Sequence, residues 1–213
     1  MDIRFIQDLE IRLNSPLPGE AAQNLMAPVG IEKYRTVTPD HKVACVLALF
    51  FPKNDIWHLS FIERTSDHPN DKHAGQISFP GGSLSPGDAS FEYCALRETY
   101  EEIGIPPDMI GILGGLTPLF VFVSNFMVYP FVGFTTAYPE FLAQPTEVKN
   151  ILEVPVNYLL EPKNKGFTDM IIRDAVLKDI PYYDIYGQKL WGATAMMVSE
   201  LEHIMRSIDT TND

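Results

Sequence analysis

Of 213 residues, 28 are Asp or Glu and 16 are Lys or Arg, a formal net charge of −12. That balance argues against a surface built to grip nucleic-acid phosphates, which relies on lysine and arginine displacing counterions. An acidic chain still binds a polyphosphate if metal ions supply the positive charge. With 46% apolar residues it can bury a core, and its length suits one main domain.

In chain order, residues 3–13 place Ile6, Leu9 and Leu13 near helical spacing, which predicts an amphipathic opening helix ended by "NSPLPGE". Residues 1–35 read as a helical extension ahead of the main domain, and 1–213 as a single domain. The runs "VACVLALFF" (43–51) and "IWHLSFIER" (56–64), separated by "PKND", predict a hairpin. The first run is about half of what a bilayer-spanning helix needs, and "MDIRFIQDLE" has no signal-peptide pattern, so no membrane segment is expected. A turn-rich loop, "TSDHPNDKHAG", leads to the short strand "QISF", the turn "PGGSLSPGD" and a helix over 88–103, stopped by Gly104 and the Pro106–Pro107 pair. Strands are expected at 111–123 and 126–135, with extended chain at "NILEVPV" and "DMIIRD". A closing helix from Gly192 has Ala195, Val198, Leu201 and Ile208 on its inner side. Cys45 and Cys94 fall in a predicted strand and helix, which reads as burial in a reducing cytoplasm and not as a disulfide framework. Hairpins interspersed with helices predict an α/β sandwich.

The central helix carries the chemistry. At about 100° per residue, Glu101 and Glu102 fall within roughly 60° on either side of Glu98, so three carboxylates share one face. Leu96, Thr99 and Ile103 lie opposite, with Ala95 near the border. Like charges at this spacing repel by a few tenths of a kcal/mol per pair, and a hard dication, magnesium or manganese, offsets the repulsion directly. Arg97 flanks Glu101 and is placed to orient it. A solvated acidic face is the alternative reading of such a pattern. The surroundings favour the site: "FPGG" supplies Gly81 and Gly82 where backbone must turn and approach a ligand, and Gly104 ends the helix just after the carboxylates.

The stretch resembles the Nudix box, G-x5-E-x7-R-E-U-x-E-E-x-G-U with U a bulky apolar residue. Arg97, Glu98, Glu101, Glu102, Gly104 and Ile105 match it place for place. It departs where Asp88 stands for the first acid, eight residues instead of seven before Arg97, and where Thr99 stands for the first U. Asp88 is equally placed to cap the helix. The resemblance implies an α/β/α sandwich with a mixed β-sheet. It also implies a hydrolase that splits a nucleoside diphosphate from another moiety, with Glu98, Glu101 and Glu102 holding Mg2+ or Mn2+. The general base is then a glutamate of the box or Glu147, in a loop that often contributes an acid in this fold.

"HAGQISFPGG", "LTPLFVFVSNFMVYPFVGF" and "LWGATAMMVSELEHI" further resemble the coenzyme A pyrophosphatase branch of that family. Its segment L-L-T-x-R-[SA]-x3-R-x3-G-x3-F-P-G-G finds its first arginine in Arg64. The second arginine position is Asp71, with Lys72 or His73 the nearest cation, and lysine does not reproduce the planar fork of arginine. The branch implies coenzyme A or an acyl-coenzyme A as substrate, giving 3',5'-ADP and 4'-phosphopantetheine. ADP-ribose, dinucleotides or damaged nucleotides are the alternative substrates, and a non-catalytic nucleotide-binding module is a third reading. Arg64, His73, Gly81, Gly82 and Ser124 are the candidate substrate contacts, Ser124 because it and Asn125 interrupt an apolar run. His58, His68 and His203 form no metal-ligand spacing. The expected partner is a small nucleoside diphosphate derivative, with neither nucleic acid nor membrane; family likeness adds a possible homodimer.

Overall fold

The computed structural model describes residues 2–30, 36–65, 75–172 and 175–209; His68, Asp71, Lys72 and His73 lie outside them. Helix α1 (Arg4–Leu13) buries Ile6, Leu9 and Leu13, as its periodicity predicts. A short helix absent from the sequence reading, α2 (Gly19–Gln23), follows. Strands β1 (Lys42–Lys53) and β2 (Ile56–Arg64) form the expected hairpin, with Asn54 and Asp55 at φ 51° and 62° in its two-residue turn. Positive φ at both central residues gives a turn whose twist matches that of the strands.

β3 (Ile77–Ser78) pairs with β2, and β4 (Gly81–Ser83) pairs with β1. The diglycine expected in a turn is therefore a strand. Cys45 lies opposite Gly82, and that backbone pairing fixes the glycines in place of any strand propensity. Helix α3 (Phe91–Ile103) starts three residues later than expected. Its cap is Ser90, whose hydroxyl accepts from Tyr93 N at 3.0 Å, because Asp88 is already committed to Arg97. Gly104, at φ 77°, closes it with a bond to Tyr100 O.

β5 (Gly111–Gly115) and β6 (Leu119–Val121) replace the single strand expected over 111–123, and both pair with β7 (Phe126–Phe134). The break comes where Leu116 turns into the core and Thr117 gives its N–H and hydroxyl to the buried carboxylate of Glu200. β8 (Val148–Pro155) pairs with β2. The β1–β7 pairing is parallel and the others in this sheet are antiparallel, so the sheet is mixed. Because β1 is central and covered on both faces, it is a continuous apolar run and does not alternate.

After α4 (Val156–Leu160), strands β9 (Lys165–Ile172), β10 (Ala175–Ile185) and β11 (Gln188–Trp191) form a second sheet, and α5 (Gly192–Asp209) closes the fold. Only its first strand was foreshadowed, by "DMIIRD". α3 covers one face of the main sheet, packing Cys94, Ala95 and Ile103 against Cys45, Leu47 and Ile62. The other face packs against α1, α5 and the second sheet. Each fully buried Leu, Ile or Phe contributes about 1.5–3 kcal/mol, so α3 is held firmly enough to set the positions of its outward carboxylates. Both cysteines are buried and free. Among the described residues no helix is long and apolar enough to cross a membrane.

Candidate active site

The site forms where β4, the end of β2 and the loop before β8 meet α3. Gly81 N donates to Glu102 Oε2 at 2.8 Å, and Arg64 Nη1 stands 3.6 Å from Glu102 Oε1. Gly82 lies directly against Glu98: a Cβ there would fall 2.4 Å from Glu98 Oε2, so only glycine leaves room for that carboxylate. Gly81, at φ 153°, has Cys45 O where a side chain would start, at 2.3 Å. The two glycines thus let the strand backbone reach the carboxylates.

The three glutamates are not equally open. Glu101 is 55% exposed, Glu98 14% and Glu102 1%, so the shared face predicted from the wheel grades from solvent into the core. Glu102 lies on the side of α3 that buries Ala95, Thr99 and Ile103. Arg97 organises the outer two, its Nη1 donating to Glu98 Oε1 at 2.8 Å and to Glu101 Oε2 at 3.1 Å. The orienting role read for Arg97 toward Glu101 therefore extends to Glu98. Its Nε and Nη2 hold both oxygens of Asp88 at 2.7 and 2.9 Å, and Nη2 also reaches Ser83 O. This Asp88–Arg97 pair was missed from the sequence; the signal was a lone acid one turn ahead of the helix, at nearly the spacing of the box.

Residues 39–173 match the NUDIX domain family. The chain belongs to the Nudix hydrolase family. It is accordingly an enzyme of the class that hydrolyses phosphoric anhydrides. Among similar proteins, the uncharacterized Nudix hydrolase NudL of Yersinia pestis (strain Pestoides F) is 35% identical over 140 residues, 66% of this chain and 69% of that one. NudL of Yersinia pseudotuberculosis (serotype O:1b) gives the same figures. Of solved structures, a MutT/nudix family protein from Enterococcus faecalis aligns with TM-score 0.52 at 16% identity, covering 81% of this chain and 64% of that one. An Ap4A hydrolase from C. elegans aligns with TM-score 0.50 at 13% identity, covering 80% and 98%. These likenesses support the Nudix α/β fold.

In this Nudix site burial, more than neighbouring charge, disfavours the ionised form of the two inner glutamates. Burial pushes the Glu102 carboxyl up to about 8, a rise opposed by the Gly81 amide and Arg64 and increased by Glu98 and Glu147. Burial also raises Glu98, against the pull of Arg97 and with a push from Glu101 and Glu147. Asp88, by contrast, is held well below the usual carboxylate range by its hydrogen bonds to Arg97. Without a further cation, Glu102 keeps its proton near neutral pH. Carboxylate oxygens are the donors a hard dication takes, so the donor chemistry fits a divalent metal ion. Among the described residues no group of three or more His, Cys, Asp or Glu side chains is arranged to hold a metal ion; Arg97 engages Glu98 and Glu101, and the Gly81 amide engages Glu102.

The other expected residues divide. Glu147 is exposed, and its charge raises the carboxyls of both Glu98 and Glu102 slightly. Its loop is fixed by Thr65 N donating to Glu147 O at 3.0 Å and Gln144 N donating to Glu102 O at 2.9 Å. Arg64 lies at the cluster, with its Nε buried and without a hydrogen-bond partner among the described residues. Ser124 sits in the β6–β7 turn, where its hydroxyl donates to Val121 O at 3.4 Å; no hydrogen bond joins it to the box among the described residues. His73 lies outside the described residues. His58 stacks on Phe51 at 5.7 Å and His203 bonds Ser199 O, both away from the carboxylates.

Proposed function

We propose that the enzyme cleaves the diphosphate of a nucleoside diphosphate joined to another group, with coenzyme A or an acyl-coenzyme A as substrate, yielding 3',5'-ADP and the 4'-phosphopantetheine portion. The observation that carries the reaction is the graded carboxylate cluster Glu98, Glu101 and Glu102, pressed against Gly82 and the Gly81 amide, with burial disfavouring the ionised form of Glu102. Those three side chains would hold Mg2+ or Mn2+, whose charge, when bound, neutralises phosphate oxygens and acidifies water. Arg97 keeps Glu98 and Glu101 in place, and Asp88 keeps Arg97 in place. Arg64 presents a guanidinium beside Glu102, with Nη1 3.6 Å from Glu102 Oε1, a group suited to a phosphate oxygen. Glu147 or a box glutamate takes the proton of the attacking water. Positioning and charge stabilisation suffice, since phosphoryl transfer needs little covalent help from the protein.

Arg64 together with "HAGQISFPGG" supports the coenzyme A reading. Asp71, where the resembled segment has arginine, favours the second reading, in which ADP-ribose, a dinucleotide or a damaged nucleotide is the substrate. Assaying coenzyme A, ADP-ribose, NADH and nucleoside triphosphates with Mg2+ or Mn2+, with the products separated, tests both. Release of 3',5'-ADP from coenzyme A at the highest kcat/KM supports the first; faster turnover of another compound replaces it with the second. Nucleotide binding with no turnover under either metal defeats both and leaves a binding module.

A further inference from the structure

Glu147 sits in an exposed turn, where backbone is ordinarily mobile and hydrated. Here every polar group of the two peptide units that flank its Cα is bonded within the protein. Its own N–H donates to Gln144 O at 3.0 Å, and Val148 N donates to the same oxygen at 2.8 Å. The two carbonyls go to one residue: Thr146 O accepts from Thr65 Oγ1 and Glu147 O accepts from Thr65 N, each at 3.0 Å. With both peptide planes held, the two soft dihedrals of Glu147 are fixed, and with them the direction in which its side chain leaves the backbone.

The turn is seated on α3 from its other side. Leu142 N donates to Ile103 O at 3.0 Å and Gln144 N to Glu102 O, so loop amides take up carbonyls that a helix end leaves without an intrahelical partner. Gly104 allows this approach, since a Cβ on it would fall 2.7 Å from Leu142 Cβ. Arg64, next to Thr65 in the chain, brings its guanidinium to the Glu102 carboxyl. Two successive residues at the end of β2 therefore address two acids of the site. The hydroxyl of Thr65 adds nothing that β8 needs in order to start, because the Gln144 bonds and the pairing of Arg64 with Val148 already begin that strand. We propose that Thr65 is a positioning residue of the reaction, its hydroxyl holding the Thr146–Glu147 peptide so that the Glu147 carboxylate faces the attacking water. This rests on the reading of the site as a diphosphate hydrolase and commits to Glu147 as the base. As the water oxygen bonds phosphorus and the bond from phosphorus to the bridging oxygen breaks, the water's proton passes to Glu147 and the leaving phosphate keeps the electron pair.

Steady-state kinetics on the best substrate of the panel, with deuterium uptake over residues 144–148, tests this. Thr65→Val keeps the shape of the side chain and the backbone N–H but removes the hydroxyl. It should lower kcat about three- to tenfold, the scale of one lost hydrogen bond, and speed uptake over the turn. KM should not move, because the hydroxyl is spent on Thr146 O. Thr65→Ser should recover most of the loss. Glu147→Gln should lower kcat at least about a hundredfold, and in that background Thr65→Val should cost nothing further, because the group it positions is gone. Losses that multiply across the two backgrounds overturn the proposal, as does unchanged kcat or unchanged uptake in Thr65→Val, or a Thr65→Ser enzyme as slow as Thr65→Val. Full turnover by Glu147→Gln also overturns it, while leaving the hydrolase reading intact with a box glutamate as base. A wild type that turns over no compound of the panel defeats that reading and this proposal together.

Discussion

Arg97 grips Asp88 with two nitrogens, Nε to Oδ1 at 2.7 Å and Nη2 to Oδ2 at 2.9 Å, and its third nitrogen carries both Glu98 and Glu101. The aspartate thus fixes a guanidinium that in turn fixes two carboxylates of the site. Asp88→Asn removes the charge and one acceptor of this fork. The expected result is a loss of about 2 kcal/mol of stability, the scale of charge-assisted hydrogen bonds to a largely buried group, and a fall in kcat of roughly ten- to a hundredfold as the carboxylates lose their support. Urea unfolding and steady-state kinetics on the purified variant measure the two effects separately.

Gly82 tests how closely the backbone serves the site. An added Cβ would meet the Glu98 carboxylate, the mobile end of a side chain, and not backbone. Gly82→Ala should therefore fold with little change in melting temperature, yet lose turnover by at least about tenfold because Glu98 is displaced. A variant with full activity would show that the position of Glu98 is not needed.

Glu202 gives a pH dependence away from the carboxylates of α3. Burial pushes its carboxyl up, but hydrogen bonds from Lys165, Tyr183 and Arg206 outweigh burial and leave it below the ordinary range. The unfolded chain then binds more protons in this window, so stability rises with pH. The contribution is fully present above the unfolded glutamate value of about 4.3 and is lost as pH falls through the lower folded value. Glu202→Gln should cost about 2 kcal/mol at pH 7, a gap that narrows on acidification. Urea midpoints of both proteins at pH 7 and below pH 4 give the comparison.

The sequence was most legible where one local rule decided the outcome. Ile6, Leu9 and Leu13 announced α1, continuous apolar runs announced β1 and β2, and the spacing of Arg97, Glu98, Glu101, Glu102 and Gly104 announced the Nudix family. It was least legible where distant partners decide. Gly81 and Gly82 form a strand only because Cys45 and Val46 are there to pair with them. Glu200 reads as a surface charge on a helix, yet it is fully buried and accepts from Gly19 N, Gln23 Nε2 and Thr117, residues far off in the chain. The burial of Glu102 escaped the helical wheel for the same reason: the wheel gives direction, while depth depends on what β2 and β4 bring over the helix. The strands β10 and β11 hid behind "KDIPYYD", where a proline, charges and a bulge near Leu177 interrupt the alternation.

The central claim is that Glu98, Glu101 and Glu102 hold dications for hydrolysis of a diphosphate. Its most direct test is turnover of the best substrate from the panel, with Mg2+ or Mn2+, by the wild type and by the double variant Glu101→Gln/Glu102→Gln. Circular dichroism should show the variant folded, since Gln keeps the shape of each side chain, while kcat/KM falls by at least about a thousandfold as charge stabilisation is lost. A folded double variant that retains wild-type turnover would contradict the account.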